Sequence, residues 1–96
     1  MNDEQVSIAI RMLRGDIIRS LHAQGYDITR YDIEVFKPHG SIEAMPWLNV
    51  IFRDYEDKRE AIFSAVMIPI SALKNSAEID QATFQGIREL RRKAGR

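Results

Sequence analysis

The 96 residues suit one domain, so the whole of 1–96 is predicted to be a single folded unit. Hydrophobic residues make up 45% of the chain and charged residues 29%, which is a globular composition and not a disordered one. The 14 acidic and 14 basic residues cancel. A whole-molecule field that attracts nucleic acid or anionic lipid is therefore excluded, and binding of that kind needs a local patch.

The lack of cysteine excludes disulfides, thiolate catalysis and cysteine-bound zinc, and it suits a reducing compartment. The opening run, MNDEQVSIAI, is too polar for a secretory signal. The most apolar run, AIFSAVMIPISAL, has 13 residues, whereas a membrane-spanning helix needs about 20. We therefore expect a soluble, cytoplasmic protein without a membrane partner.

The first predicted element is a helix over residues 3–24. Asn2 and Gln5 form a capping-box pattern at its start, and Gly25 is placed to end it in a left-handed conformation. Gly15 lies in its middle, where glycine weakens a helix unless a kink or a close contact requires it. The apolar stripe recurs at helical spacing and consists of Val6, Ile10, Leu13, Ile17 and Leu21.

Three strands are predicted next, over residues 31–37, 47–55 and 60–70. A long connector, KPHGSIEAMP, separates the first two, and Pro69 restricts the end of the third to an edge, a bulge or a terminus. Alternation places one apolar set on the same side of the sheet: Tyr31, Ile33, Val35, Leu48, Val50, Phe52, Ile62, Val66 and Ile68.

The last predicted element is a second long helix, which follows one helical turn over residues 71–75. Asp80 is its expected N-cap, Ile79 and Phe84 its hydrophobic staple, and Gly95 its end. Its apolar stripe is expected to consist of Phe84, Ile87 and Leu90. The order α-β-β-β-α predicts an α+β fold, a three-stranded antiparallel meander with the N-terminal and C-terminal helices on one face.

Two helices cannot cover both faces of three strands, yet the strands are apolar on both sides. The second face would carry Phe36, Trp47, Ile51, Phe63 and Met67, diluted by Asp32, Glu34, Asn49 and Arg53. We interpret this face as a protein interface, most simply that of a homodimer. One alternative is that the connector 37–46, with Ile42 and Met45, folds over it. Another is a platform on which single-stranded bases stack, against which Asp32 and Glu34 argue.

Basic side chains on the two helices offer a second candidate surface, which would contact phosphates. These residues are Arg11, Arg14 and Arg19 on the first helix and Arg88, Arg91, Arg92 and Lys93 on the last. The alternative is a solvated surface, with the last four placed at a helix C-terminus because the helix dipole favours cations there.

The order of elements resembles that of double-stranded-RNA-binding domains over most of the chain. In that family a lysine-rich run opens the last helix and contacts phosphate. The matching stretch here, EIDQATFQG at 78–86, has no lysine and two acids, although KPHGS after the first strand has a Pro-His pair similar to the family's loop. The resemblance implies a shared topology without the family's phosphate-binding lysines.

No pattern of catalytic or metal-binding residues emerges from the sequence. The acids of DYEDKRE, which are Asp54, Glu56, Asp57 and Glu60, are interpreted as a solvated turn because the run lacks glycine and contains two cations. His22 and His39 are isolated. We therefore expect a non-enzymatic protein-interaction or regulatory domain that forms a homo-oligomer, without cofactor or metal. The alternative is a nucleic-acid-binding module that uses the helix arginines.

Overall fold

The computed structural model describes residues 2–38, 47–56 and 62–95. Their order of elements confirms the predicted α+β fold. The elements are α1 (Asp3–Ala23), β1 (Tyr31–Phe36), β2 (Trp47–Asp54), β3 (Ser64–Pro69), a 3-10 helix (Ile70–Lys74) and α2 (Ser76–Lys93). Most of the connector, with Ile42, Met45 and His39, and most of the charged turn, with Asp57 and Glu60, lie outside the described residues.

The ends of α1 follow from the residues that flank it. Asn2 accepts a hydrogen bond from the Gln5 amide at 2.8 Å, and the Gln5 side chain accepts one from the Asn2 amide, which completes the predicted capping box. At the other end Gly25 adopts a φ of 82°, which glycine tolerates best. The Tyr26 amide then donates to the Leu21 carbonyl at 2.9 Å, which closes a Schellman motif.

The sheet is an antiparallel meander in the order β1-β2-β3, with β2 in the centre. Ile33 pairs with Phe52 and Val35 with Val50, while Val50 also pairs with Val66 across the other ladder. Because side chains alternate along a strand, this register gives the sheet two distinct faces. We call the one under the helices the closed face and the other the open face.

Both helices pack on the closed face, as the sequence predicts. Leu48, Val50 and Phe52 of β2 are 0% exposed. They share one core with apolar residues from both helices, among them Leu13, Ile17, Ile87 and Leu90. Within the described ranges, neither helix combines the length and the apolar character that crossing a bilayer requires.

The predicted start of the last helix is wrong. The helix α2 begins at Ser76, because Asn75 accepts a hydrogen bond from the Glu78 amide at 3.2 Å and no helix breaker follows it. Asp80, the expected cap, lies inside α2 and accepts a hydrogen bond from the Ser20 hydroxyl of α1. The predicted helical turn before it is confirmed as the 3-10 helix.

The predicted apolar stripe of α2 is wrong at Phe84, which is exposed. The buried side instead consists of Ile79, Thr83, Gly86, Ile87 and Leu90. Gly86 sits where α2 approaches the sheet most closely: a Cβ atom there would come 2.3 Å from Cε2 of Phe52. The Ser64 hydroxyl of β3 donates to the Gly86 carbonyl at 2.6 Å, which fixes α2 against the edge of the sheet.

Candidate protein-interaction face

The open face is a grid of side chains whose rows follow from the strand register. One row consists of Phe36, Asn49 and Met67, and the next of Glu34, Ile51 and Ala65. Trp47 pairs with Pro69 at one end of the grid, and Asp32 pairs with Arg53 at the other. The register therefore places Phe36, Trp47, Ile51 and Met67 on one face, as the alternation along the strands predicts.

The end of the open face around Trp47 is apolar and exposed. Trp47 is 40% exposed and Met67 is 51% exposed, although both are large apolar side chains. Phe36 and Ile51 are half-buried beside them. A cluster of this kind on one side of a sheet is the usual mark of a surface that contacts another molecule.

The other end of the open face is covered by charged and polar side chains. Arg53 donates to Glu34 at 3.2 Å, and the Tyr55 hydroxyl donates to Asp32 at 3.4 Å. Phe63 lies at this end, beneath two cations: the Arg53 guanidinium is 5.6 Å from its ring centroid and Lys93 Nζ is 5.5 Å from it. Phe63 is therefore half-buried beside two cations, whereas Trp47 and Met67 are exposed at the apolar end.

The predicted basic surface is divided between the two edges of the sheet. Arg14 reaches the β1 edge, where its Nε donates to the Ile33 carbonyl at 3.3 Å. Arg88 and Arg92 line a groove with Ala65 at the β3 edge. Since β1 and β3 are the outer strands, Arg14 lies at the opposite edge of the sheet from Arg88 and Arg92.

Most of the predicted phosphate-binding residues have partners within the chain. Arg19 pairs with Asp16 at 3.0 Å, and Arg92 pairs with Glu89, which lowers the pKa of that carboxyl below its usual value. Arg91 donates to the Tyr31 hydroxyl, and Lys93 donates to the Phe63 carbonyl. Among the residues described, the side chains of Arg11 and Arg88 form no hydrogen bond or ion pair.

The interpretation of the acidic run as a solvated turn is wrong for Asp54. This residue is 8% exposed, and Arg30 donates to its Oδ2 from Nε at 3.0 Å and from Nη2 at 2.8 Å. This pairing raises the pKa of the Arg30 guanidinium above its ordinary value. The ion pair fixes the loop before β1 to the end of β2, a role that the charge pattern alone does not reveal.

Two further grooves adjoin the helices, and the sequence patterns did not predict either of them. The first, of about 420 Å³, lies between α1 and the 3-10 helix and is lined mainly by Ile8, Met12, Ile70 and Leu73. The second, of about 380 Å³, lies between β3 and α2 and reaches the open face at Met67. Only the packing of a 3-10 helix against α1 creates the first, so alternation along single elements could not predict it.

Within the described parts of the chain, the histidine and acidic side chains form no group of three or more that could hold a metal ion. Comparison with known proteins gives no family model that matches the chain, and neither the curated proteins nor the solved structures yield a match. The functional argument therefore rests on the geometry of the open face.

Proposed function

We propose that the protein is a small, non-enzymatic protein-interaction domain that forms a homodimer through the open face. The observation that carries the proposal is the exposure of Trp47 and Met67 on a sheet whose other face packs against both helices. A second copy supplies a matching apolar layer, because a two-fold interface places the same patch on both subunits.

The size of the open face indicates a reversible dimer. The three strands have six, eight and six residues. At about 3.4 Å per residue and about 4.8 Å between strands, they span on the order of 300–350 Å² in projection. Stable complexes bury about 800 Å² on each partner. The open face is thus at the low end of what supports specific association, and we expect a dimer that forms at micromolar concentration and dissociates on dilution. A reducing compartment such as the cytoplasm suits such a chain, which has no cysteine.

The substitution Ile51→Asp tests the proposal. Ile51 is at the centre of the grid, paired with Glu34 on one side and Ala65 on the other. A carboxylate there has no guaranteed cation in the partner, so burying it disfavours the dimer. Light scattering on a sizing column should show a dimer for the wild type and a monomer for the variant, with the helical circular dichroism unchanged.

Two methionines provide a matched control for the same experiment. Met67 lies on the open face and is 51% exposed, whereas Met12 lies on α1 and is 46% exposed. Met67→Asp should dissociate the dimer and Met12→Asp should leave it intact, although both substitutions remove one exposed methionine. Dissociation by Met12→Asp alone would move the interface to the groove between α1 and the 3-10 helix.

Nucleic-acid binding remains the alternative function, with weaker support. Two features support it. The side chains of Arg11 and Arg88 form no hydrogen bond or ion pair with a described residue, and the order of elements resembles that of double-stranded-RNA-binding domains. Binding through phosphates weakens steeply with salt, whereas apolar association does not. A titration of double-stranded RNA at two salt concentrations, with wild type and Arg11→Gln/Arg88→Gln, separates the two functions. We expect no saturable binding near physiological salt.

A further inference from the structure

The charges of the open face are sorted by strand. On this face β1 contributes the acids Asp32 and Glu34, whereas β3 (Ser64–Pro69) contains no charged residue. The β3 side is instead bordered by a cation, since Lys93 Nζ donates to the Phe63 carbonyl at 3.2 Å and lies over the Phe63 ring. One edge of the open face is therefore acidic and the opposite edge is basic.

This sorting distinguishes two ways in which a second copy can stack on the open face. A two-fold axis that runs across the middle of the strands places β1 over the partner's β1 in the reverse direction, so the acids of β1 lie against the apolar end of the partner's face. An axis that runs along β2 places β1 over the partner's β3, and each acidic edge faces a basic edge. Complementary charges across an interface favour association, whereas charges placed against apolar side chains oppose it.

The division of the face into an apolar end and a charged end favours the same axis. Rotation about β2 leaves every row at its own level, so the rows of Trp47 and Phe36 meet apolar rows of the partner. An axis across the middle of the strands would place the Trp47 row over the row that contains Arg53 and Asp32. That contact would desolvate Arg53 and Asp32 without supplying an opposite charge from the partner, which would cost stability.

We propose that the second copy docks with the two-fold axis running along β2, so that Asp32 faces Lys93 of the partner subunit and Ile51 faces its own counterpart. Stacked sheets twist relative to one another by about 30°, so the axis lies within about 15° of the strand direction. The inference rests on the homodimer proposed above and adds its geometry. In this geometry β1 of each copy contacts β3 of the other copy.

A distance measurement between spin labels tests the direction of the axis. The chain has no cysteine, so Glu56→Cys carries the only label, and Glu56 is exposed just beyond the end of β2. With the axis along β2, the two labelled ends lie at the same end of the dimer, about 10–20 Å apart at a sheet spacing of about 10 Å. With the axis across the middle of the strands, they lie about 30 Å apart or more, at about 3.4 Å per residue.

The result expected from double electron–electron resonance, supported by continuous-wave line broadening at the short end, is a distance below about 20 Å. A dimer with labels about 30 Å apart or more would overturn the proposed axis and leave the homodimer standing. Absence of dipolar coupling together with a monomeric mass would refute the homodimer itself. The two failures are therefore distinguishable.

Charge reversal provides a second, independent test of the same axis. Asp32→Lys and Lys93→Asp should each raise the dimer dissociation constant by roughly tenfold, since close charge pairs at interfaces contribute about that much or more. The double variant should recover most of the loss, because both contacts are restored with their signs exchanged. Lys74→Glu, which changes an exposed cation on the 3-10 helix, is the control and should change nothing. If the effects of the two single substitutions on the dissociation constant simply add in the double variant, the pairing of Asp32 with Lys93 is contradicted.

Discussion

The two faces of β2 differ in what covers them, although apolar residues occur on both. Leu48, Val50 and Phe52 are completely buried under two helices, whereas Trp47 is 40% exposed on the same strand. The closed face is completed by elements that the chain itself supplies. The open face lacks such a layer among the described residues, and this difference is the reason to expect a partner.

The strongest test of this difference compares neighbouring residues that point to opposite faces. Phe52→Ala should lower the free energy of unfolding by about 3–5 kcal/mol, because it opens a cavity in a fully packed core. Ile51→Ala, measured where the chain is monomeric, should cost less than about 1.5 kcal/mol, because Ile51 is only half-buried. Urea denaturation measures both, and equal losses would mean that the open face is as tightly packed as the closed one.

Replacing each of two glycines by alanine provides a second test of the comparison. Gly86→Ala should destabilise the protein by roughly 1–3 kcal/mol, because the new methyl would overlap the buried ring of Phe52. Gly15→Ala should stabilise it by up to about 1 kcal/mol, because that position in α1 is exposed and no atom of another element lies within 4 Å of the new methyl. Thermal or urea unfolding of the pair gives the sign, and a stable Gly86→Ala variant would show that α2 lies farther from the sheet.

The smallest expected effect is the difference in stability between variants at two arginines of α2. Arg91 donates to the Tyr31 hydroxyl at 3.1 Å and lies 5.2 Å from the Tyr26 ring centroid, so Arg91→Gln should cost about 1 kcal/mol. Arg88→Gln should change stability by less than about 0.5 kcal/mol, because the Arg88 side chain forms no hydrogen bond or ion pair with a described residue. The comparison requires denaturation curves of matched precision, and indistinguishable midpoints would mean that the Arg91 contacts contribute nothing.

The sequence predicted the sheet and its two faces because alternation along a strand is a local property. The cap and the terminating glycine of α1 were also predictable, since each depends on residues within one turn of the helix end. The start of α2 was not, because Asn75 and Asp80 are both good N-caps and local sequence does not choose between them.

Tertiary packing explains what the sequence left unspecified. The burial of Asp54 depends on Arg30, and the role of Gly86 depends on Phe52, 34 positions away along the chain. Lys93 lies over the Phe63 ring only because the end of α2 reaches the β3 edge. Pairings of this kind join residues that no single periodic pattern connects, so the candidate face was predictable as a set of residues but not as two chemically different ends.

The mass of the wild-type protein in solution tests the central claim most directly. Light scattering at a concentration well above micromolar should give twice the chain mass of 11.1 kDa, and the mass should fall towards that of one chain on dilution. A mass of 11.1 kDa at every concentration, with no change on introducing Ile51→Asp, would contradict the account and leave the open face without a second copy to cover it.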